Sequence, residues 1–543
     1  MHGDTFLDNY LSNRLELQAY PLNFLNKQGA FTVEEIKVFY SDFGVVGDGK
    51  TNDFYAIKAA HDKANEIGAK VFADGDKTYY IGKTGGESIT VKTNTDFCGA
   101  HFIIDDRDIL PKDSDSRTCL FVIESDFDVA EYREDSDEVR ALAAACPFDI
   151  NTKKLPLSFG FPAMIIPFDA GKKVYIRRGN TPNSGQDQHE LIVIDENGNI
   201  DESTPALLPY NNVTKLEVYR IDDEPITIQN GIFTTRANAA PREYWYYRRN
   251  ITVKRSNTTL KNIEHYVTDE GDEGAPYKGF IDANHTNNLL VENCIVSAHK
   301  TYWETSGRSK MGTYDLSGNS SNKMYFKNCR QANFFNERGE RNYETWGIMG
   351  SNYCKNITYD GCFLSRFDAH AGVYNASIIN STVANLRLTG GGKFILRDST
   401  IFGFGNTLIS LREDYGCTWR GDIEINNVIY KNTEPETSVF GAEYNPCHNF
   451  GYQAYYPENI TIEGLTLETP AKLSLFSDIA PGCNFDPEAD TVEIDGEIKI
   501  NVNKTFLPKK IEVKDFPKNA YSFYGSPNAK LNSLLKLETN RKA

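Results

Sequence analysis

Residues 257–467 repeat one short phrase eight times: NTTLKNI, NLLVENC, KMYFKNC, NITYDGC, NASIINS, KFILRDS, DIEINNV and NITIEGL. The second and fourth positions are apolar nearly throughout, from Thr258/Leu260 and Leu289/Val291 to Ile423/Ile425 and Ile460/Ile462. Alternation with period two marks a strand with one face buried. The sixth position is Asn262, Asn293, Asn328, Gly361, Asn380, Asp398, Asn427 and Gly464. These residue types tolerate a left-handed backbone. Each phrase therefore predicts a short strand ending in the same sharp bend.

The seventh position (Ile263, Cys294, Cys329, Cys362, Ser381, Ser399, Val428 and Leu465) recurs at intervals of 31, 35, 33, 19, 18, 29 and 37 residues. A minimum near 18 with variable extra length describes stacked coils whose side loops differ. One coil cannot bury its own apolar face, so neighbours must stack. Like residues then lie above like, and asparagine side chains hydrogen-bond along the stack. A propeller blade needs roughly 40 residues, and a β-sandwich does not return one bend residue at one position eight times. The pattern predicts an all-β chain, a single-stranded right-handed parallel β-helix.

Upstream, IKVFYSDFGVVGDGKTNDFYAIKAAHDKANEIGAKVFADGDKTYYIG spans residues 36–82. It reads as a strand, a Gly/Asp-rich turn at 47–53, and a helix that buries Ala56, Ile57, Ala60, Ala64 and Ile67 and stops at Gly68. Strands restart at Val71, Phe72, Tyr79 and Tyr80. DFGVVGDGKTND, followed by AIKAA and YYIG, resembles the N-terminal signature of the pectate-lyase superfamily of β-helices. That group includes polysaccharide lyases, glycoside hydrolases and phage tailspikes. The resemblance implies a β-helix cap for this stretch and carbohydrate chemistry for the chain. Asp42, Asp48 and Asp53 are then turn residues rather than metal ligands. The paired-Asp and GHG segments of polygalacturonases are missing, as are the calcium-binding Asp cluster and the RxxR-type motif of pectate lyases, so the resemblance names no reaction.

The sequence divides into an N-terminal segment (1–30), the cap and first coils (31–105), and an insertion (106–222). The β-helix with its groove follows (223–475), then a C-terminal cap (476–543). The insertion is charged and partly helical at first. From about 155 it is β-rich, with alternating KKVYIRRGN, HELIVIDENGN and TKLEVYRI separated by turn sequences. The formal net charge of -17 argues against a broad nucleic-acid or anionic-membrane surface. No apolar run approaches the ~20 residues of a membrane span. The ten cysteines do not make a disulfide framework, and Cys294, Cys329 and Cys362 read as stacked core thiols. MHGDTFLDNYLSNRLELQ lacks the basic and apolar regions of a signal peptide, so export by that route implies a leader removed upstream. The setting expected for a polysaccharide-active β-helix is extracellular, periplasmic or cell-surface, or alternatively a virion. No cofactor is indicated; calcium is possible without a motif for it. The expected oligomeric state is monomer or homotrimer.

The segments after each bend form an outer face walled by long loops, a groove that suits an extended polymer. The densest chemistry there lies in SRFDAHAGVY (365–374) and SLREDYGCTWRGD (410–422). Period two puts Asp368 with His370 on one strand face, and Arg412 with Asp414 on another. Arg387 comes from the coil between, and coil spacing brings these groups within roughly 5–10 Å. Glycoside hydrolysis needs two carboxylates, one of them protonated. Asp368 and Asp414 fit, with Glu413, Asp315 and Glu344 in reserve. β-Elimination needs a base at C5 and a cation on the uronate carboxylate. His370 fits the base, and Arg387 and Arg412 the cation. Arg366, Arg387, Arg412, Trp303, Trp346 and Trp419 are the candidate sugar-binding residues. Against this, a lone outward Asp on a solenoid is more often solvated, and Arg412 with Asp414 alone is a surface pair worth ~0–1 kcal/mol. No GxSxG elbow supports a serine nucleophile. The sequence favours hydrolysis of a polysaccharide, with a polysaccharide lyase second and a glycan-binding tailspike or adhesin third.

Overall fold

The computed structural model describes residues 36–177, 183–242, 245–300, 302–303, 310–336, 338–342, 345, 347–403, 405–416, 418–442, 454–478, 491–494, 497–500, 505–535 and 537–539. The N-terminal segment 1–30 lies outside the described residues. The chain is a single-stranded right-handed parallel β-helix, its strands joined into one long parallel sheet.

The register follows the repeat. The second position of each phrase pairs with the next: Thr258 with Leu289, Met324, Ile357, Ala376, Phe394, Ile423 and Ile460 in turn. Second and fourth positions are all in the core, at most 2% exposed. All eight sixth-position residues have φ between 49° and 66°. Their side chains bond along the stack, as in Asn262 Nδ2 to Asn230 Oδ1 (2.9 Å) and Asn427 Nδ2 to Asp398 Oδ1 (2.8 Å). Gly361 has no side chain to give, and a Cβ there would lie 2.5 Å from Asn328 Oδ1. Cys294, Cys329 and Cys362 are buried free thiols. Each caps a backbone carbonyl, for example Cys362 Sγ to Phe326 O at 3.2 Å.

The cap helix spans Phe54–Ile67 and stops at Gly68 (φ 66°). It buries Phe54, Ile57, Ala60, His61 and Ala64, whereas Ala56 is half-buried and Ile67 is exposed, contrary to the helical-face expectation. Asp48 accepts Lys50 N and Thr51 N, and Asp53 accepts Val46 N at 2.7 Å, which is turn chemistry.

One face carries the candidate site. Its strands, in chain order, are β1 (Phe121–Ile123), β2 (Ile251–Val253), β3 (Ile281–Asn284), β4 (Tyr314–Asn319), β5 (Gly347–Asn352), β6 (Phe367–Ala371), β7 (Leu386–Leu388) and β8 (Thr407–Leu411). Each pairs in parallel with the next. β1 thus still belongs to the coils, within the range assigned to the insertion. The insertion proper is an antiparallel sheet of Ala130–Arg133, Ala163–Val174, Gln186–His189, Ile192–Ile194 and Lys215–Arg220 with its own core. At the other end, Lys510–Val513 and Lys518–Tyr524 pair with Asn459–Phe476, so the solenoid continues into the range assigned to the C-terminal cap.

Candidate active site

Alternation on β6 puts Phe367 and Ala369 in the core and turns Asp368 and His370 outward. Outward does not mean solvated. Asp368 is fully buried beneath guanidinium groups. Its Oδ2 accepts Arg366 Nε at 3.0 Å and Nη2 at 2.7 Å. Arg412 Nη1 donates to both oxygens, at 2.8 and 3.0 Å, and the Tyr314 hydroxyl reaches Oδ2 at 3.4 Å. Arg387 stands in register with Asp368 on β7. The other edge of Arg412 holds Asp414 in a fork, Nε to Oδ1 at 2.9 Å and Nη2 to Oδ2 at 2.6 Å. A 3-10 turn, Glu413–Tyr415, brings those two residues together, not a shared strand face. Arg177, from the insertion, donates Nε to Asp414 Oδ2 at 2.8 Å. The result is an alternating chain of charge: Arg366, Asp368, Arg412, Asp414, Arg177. Such forked, desolvated contacts suit arginine.

The protonation states follow. Burial pushes Asp368 up, but the fields of Arg366 and Arg412 win and hold its carboxyl far below the usual range. Asp414 is likewise raised by burial and brought down to about 2 by Arg412, through its charge and hydrogen bonds. Both acids are carboxylates at any working pH. His370 is the reverse case: burial lowers it to about 3, and Arg412 adds to the effect. Its Nδ1 lies 2.8 Å from Asn352 Oδ1, and the Tyr415 ring stands edge-on at 5.3 Å. An amide oxygen only accepts, so Nδ1 holds the proton and Nε2 keeps its lone pair. Among the described residues Nε2 has no hydrogen-bond partner.

His370 and Arg412 line an open-sided cavity of about 670 Å³. Arg117, Arg177, Trp245, Tyr246, Arg248, Lys278, Tyr314 and Asn352 also line it, and among the described lining residues there is no carboxylate. The remaining candidates sit elsewhere. Asp315 is sealed, bonded to His265 Nδ1 at 2.9 Å and to Ser297 N at 2.8 Å. Trp419 is wholly buried, packs on Phe394 and donates Nε1 to Gly392 O at 3.2 Å, so it is a core residue and not a sugar platform. Glu413 is exposed at the start of its turn. Trp303 is 49% exposed on a short hairpin with Lys310–Met311. Glu344 and Trp346 lie outside the described residues. Among the described residues no group of three or more His, Cys, Asp or Glu side chains is placed to hold a metal ion, and no helix is long and apolar enough to cross a membrane.

Sequence reasoning missed Arg177, Asn352, Trp245 and the Arg117, Arg248 and Lys278 cations. Arg177 is the first arginine of KKVYIRRGN, and nothing in that stretch says that the hairpin folds back to the groove. Tyr314 was visible only as the neighbour of Asp315.

No protein-family model and no curated protein sequence matches this chain. Among solved structures, it is similar to the Pseudomonas phage phi297 tailspike gp61 at 12% identity, TM-score 0.48, covering 93% of this chain and 84% of that one. It is similar to the Gp54 tailspike of Acinetobacter baumannii bacteriophage AP22, solved with capsular saccharide, at 10% identity and TM-score 0.46, covering 93% and 80%. The Azotobacter vinelandii mannuronan C-5 epimerase AlgE6 A-module gives 9% identity and TM-score 0.29, covering 90% and 98%.

Proposed function

We propose that the chain binds an acidic polysaccharide in this cavity and cleaves it by β-elimination, with His370 as the base. One observation carries the reading: a neutral imidazole with a free Nε2 stands beside Arg412 in a cavity lined by five basic side chains, with no carboxylate among the described lining residues. A uronate carboxylate held by Arg177, whose Nε alone is given to Asp414, and lying in the field of Arg412 has its charge drawn off, which acidifies C5–H. Nε2 takes that proton, the C4–O4 bond breaks, and the C4=C5 double bond forms. The departing oxygen needs a proton, and the Tyr314 hydroxyl on the same wall is the candidate donor. A base near 3 is weak in the empty cavity, but the arriving carboxylate puts negative charge beside the ring and raises its basicity.

Hydrolysis through Asp368 and Asp414 fits less well. The leaving group needs a protonated acid, and both groups are ionised and committed to arginines. The cell-surface or virion setting expected from the sequence goes with the proposed substrate class. The test is to incubate the protein with uronate polymers and follow product absorbance and reducing ends together. We expect both to rise, and His370→Ala to slow them about 100-fold or more. Reducing ends without absorbance would overturn elimination in favour of hydrolysis. Binding with neither signal would leave a glycan-binding protein.

A further inference from the structure

We infer that the groove holds a second anion site, formed by Arg117, Trp245 and Arg248, that grips a distant acidic sugar of the same polymer. This rests on the acidic-glycan reading of the cavity and adds a length requirement to it. Arg117 precedes β1, and Trp245 and Arg248 precede β2, so the adjacent coils present all three on the cavity wall. Arg248 N bonds to Ser116 O at 3.0 Å, tying the two segments together. The Arg117 guanidinium lies 3.6 Å from the Trp245 ring centroid, stacked on a half-buried indole. Such stacking fixes the fork before a ligand arrives and lowers the ordering cost of capture.

Charge partition points to this end of the cavity. Arg412 and Arg177 are held by Asp414, and Lys278 by Asp282 at 2.7 Å. Arg117 and Arg248 are both exposed, and among the described residues neither has a carboxylate partner. They are the lining cations whose charge the described protein residues leave unneutralised, and a guanidinium fork suits a carboxylate. From β1 and β2 to β6 the ladder climbs five and four rungs, or roughly 24 and 19 Å at ~4.8 Å each. One pyranose unit of an extended chain spans about the same distance as one rung. The second site therefore lies about four to five sugars from the bond at His370. A ligand that fills both is a polyanion, not a mono- or disaccharide with one acidic group.

The experiment is equilibrium binding of size-graded oligouronates to the wild type and to the Arg117→Ala/Arg248→Ala double variant. The readout is the ratio of long-chain to short-chain affinity. In the wild type we expect this ratio to climb at least tenfold once the chain reaches about five sugars, and to fall back towards one in the double variant. An equal climb in both proteins, or equal weakening at every length, would overturn the second site while wild-type binding stood. Failure of the wild type to bind any oligouronate would sink the acidic-glycan reading and this inference with it.

Discussion

Asp368 separates what a side chain is from what its surroundings let it do. On paper it is an outward acid beside a histidine, the natural candidate for proton donor. In the structure it is the anionic centre that holds Arg366 and Arg412 together. Replacing it with asparagine removes the charge that faces the buried Arg366 guanidinium and leaves Arg412 with Asp414 as its remaining carboxylate. Removing one member of a buried ion pair costs about 3–5 kcal/mol. Asp368→Asn should therefore lower the denaturant-unfolding free energy by that order, together with any loss of activity. A solvated catalytic acid would change stability by about 0.5 kcal/mol or less, and that result would return Asp368 to the list of proton donors. Period two was enough to place Asp368 and His370 on one face, and coil spacing to bring Arg412 within reach. Neutralisation was not legible, because the Arg412–Asp368 contact joins residues 44 apart. No local pattern encodes it.

Elements were more legible, since stacking makes local text repeat. The left-handed bend at the sixth position is written eight times, and every copy adopts it. A second ladder sat unread in the first position of the same phrases. Asn257, Asn288, Asn356 and Asn375 all have positive φ, and Asn288 Nδ2 bonds to Asn257 Oδ1 at 2.6 Å. Lysine interrupts that column at Lys323 and Lys393, which hid it. The cap helix misled in a different way. His61 counts as polar in a hydrophobic pattern, yet it is wholly buried against Tyr40, whose hydroxyl lies 2.8 Å from Nε2. Burial lowers its pKa from 6.5 to about 3. The unfolded chain, titrating near 6.5, then binds the proton first as pH falls. Stability tied to His61 is whole above pH 6.5 and is lost below it, by about 1.4 kcal/mol per pH unit, until the folded group titrates near 3. His61→Phe should make the loss between pH 7 and pH 5 smaller by about 2 kcal/mol, read as the difference in denaturant midpoints. An unchanged loss would mean that other groups carry the acid sensitivity.

At the scale of the molecule, the sequence marks the insertion as a module carried by the coils but carries no sign of how it attaches. It is bolted to the coil face by a buried ion pair. Lys355 Nζ donates to Glu190 Oε2 at 2.8 Å and to the Pro205 carbonyl at 2.5 Å, and Glu190 also accepts Leu207 N and Leu208 N. Around it, Asn356 Nδ2 donates to Ser203 O, and the His189 ring lies 4.2 Å from that of Tyr353. Tyr175 packs with Tyr353, Ala371 and Tyr415 two residues before Arg177 reaches Asp414. The pair therefore fixes the module that supplies one wall of the site. Lys355→Met strands the Glu190 charge in the interface, which costs about 3–5 kcal/mol when one partner is removed. We expect faster proteolytic cleavage within residues 130–220 and weaker polymer binding, because Arg177 loses its support. Adding Glu190→Gln removes the stranded charge and keeps an acceptor oxygen for one of the two backbone N–H groups, so the double variant should recover part of both. If Lys355→Met resists protease as well as the wild type, the remaining contacts hold the insertion without the ion pair, and the pair plays no part in positioning Arg177.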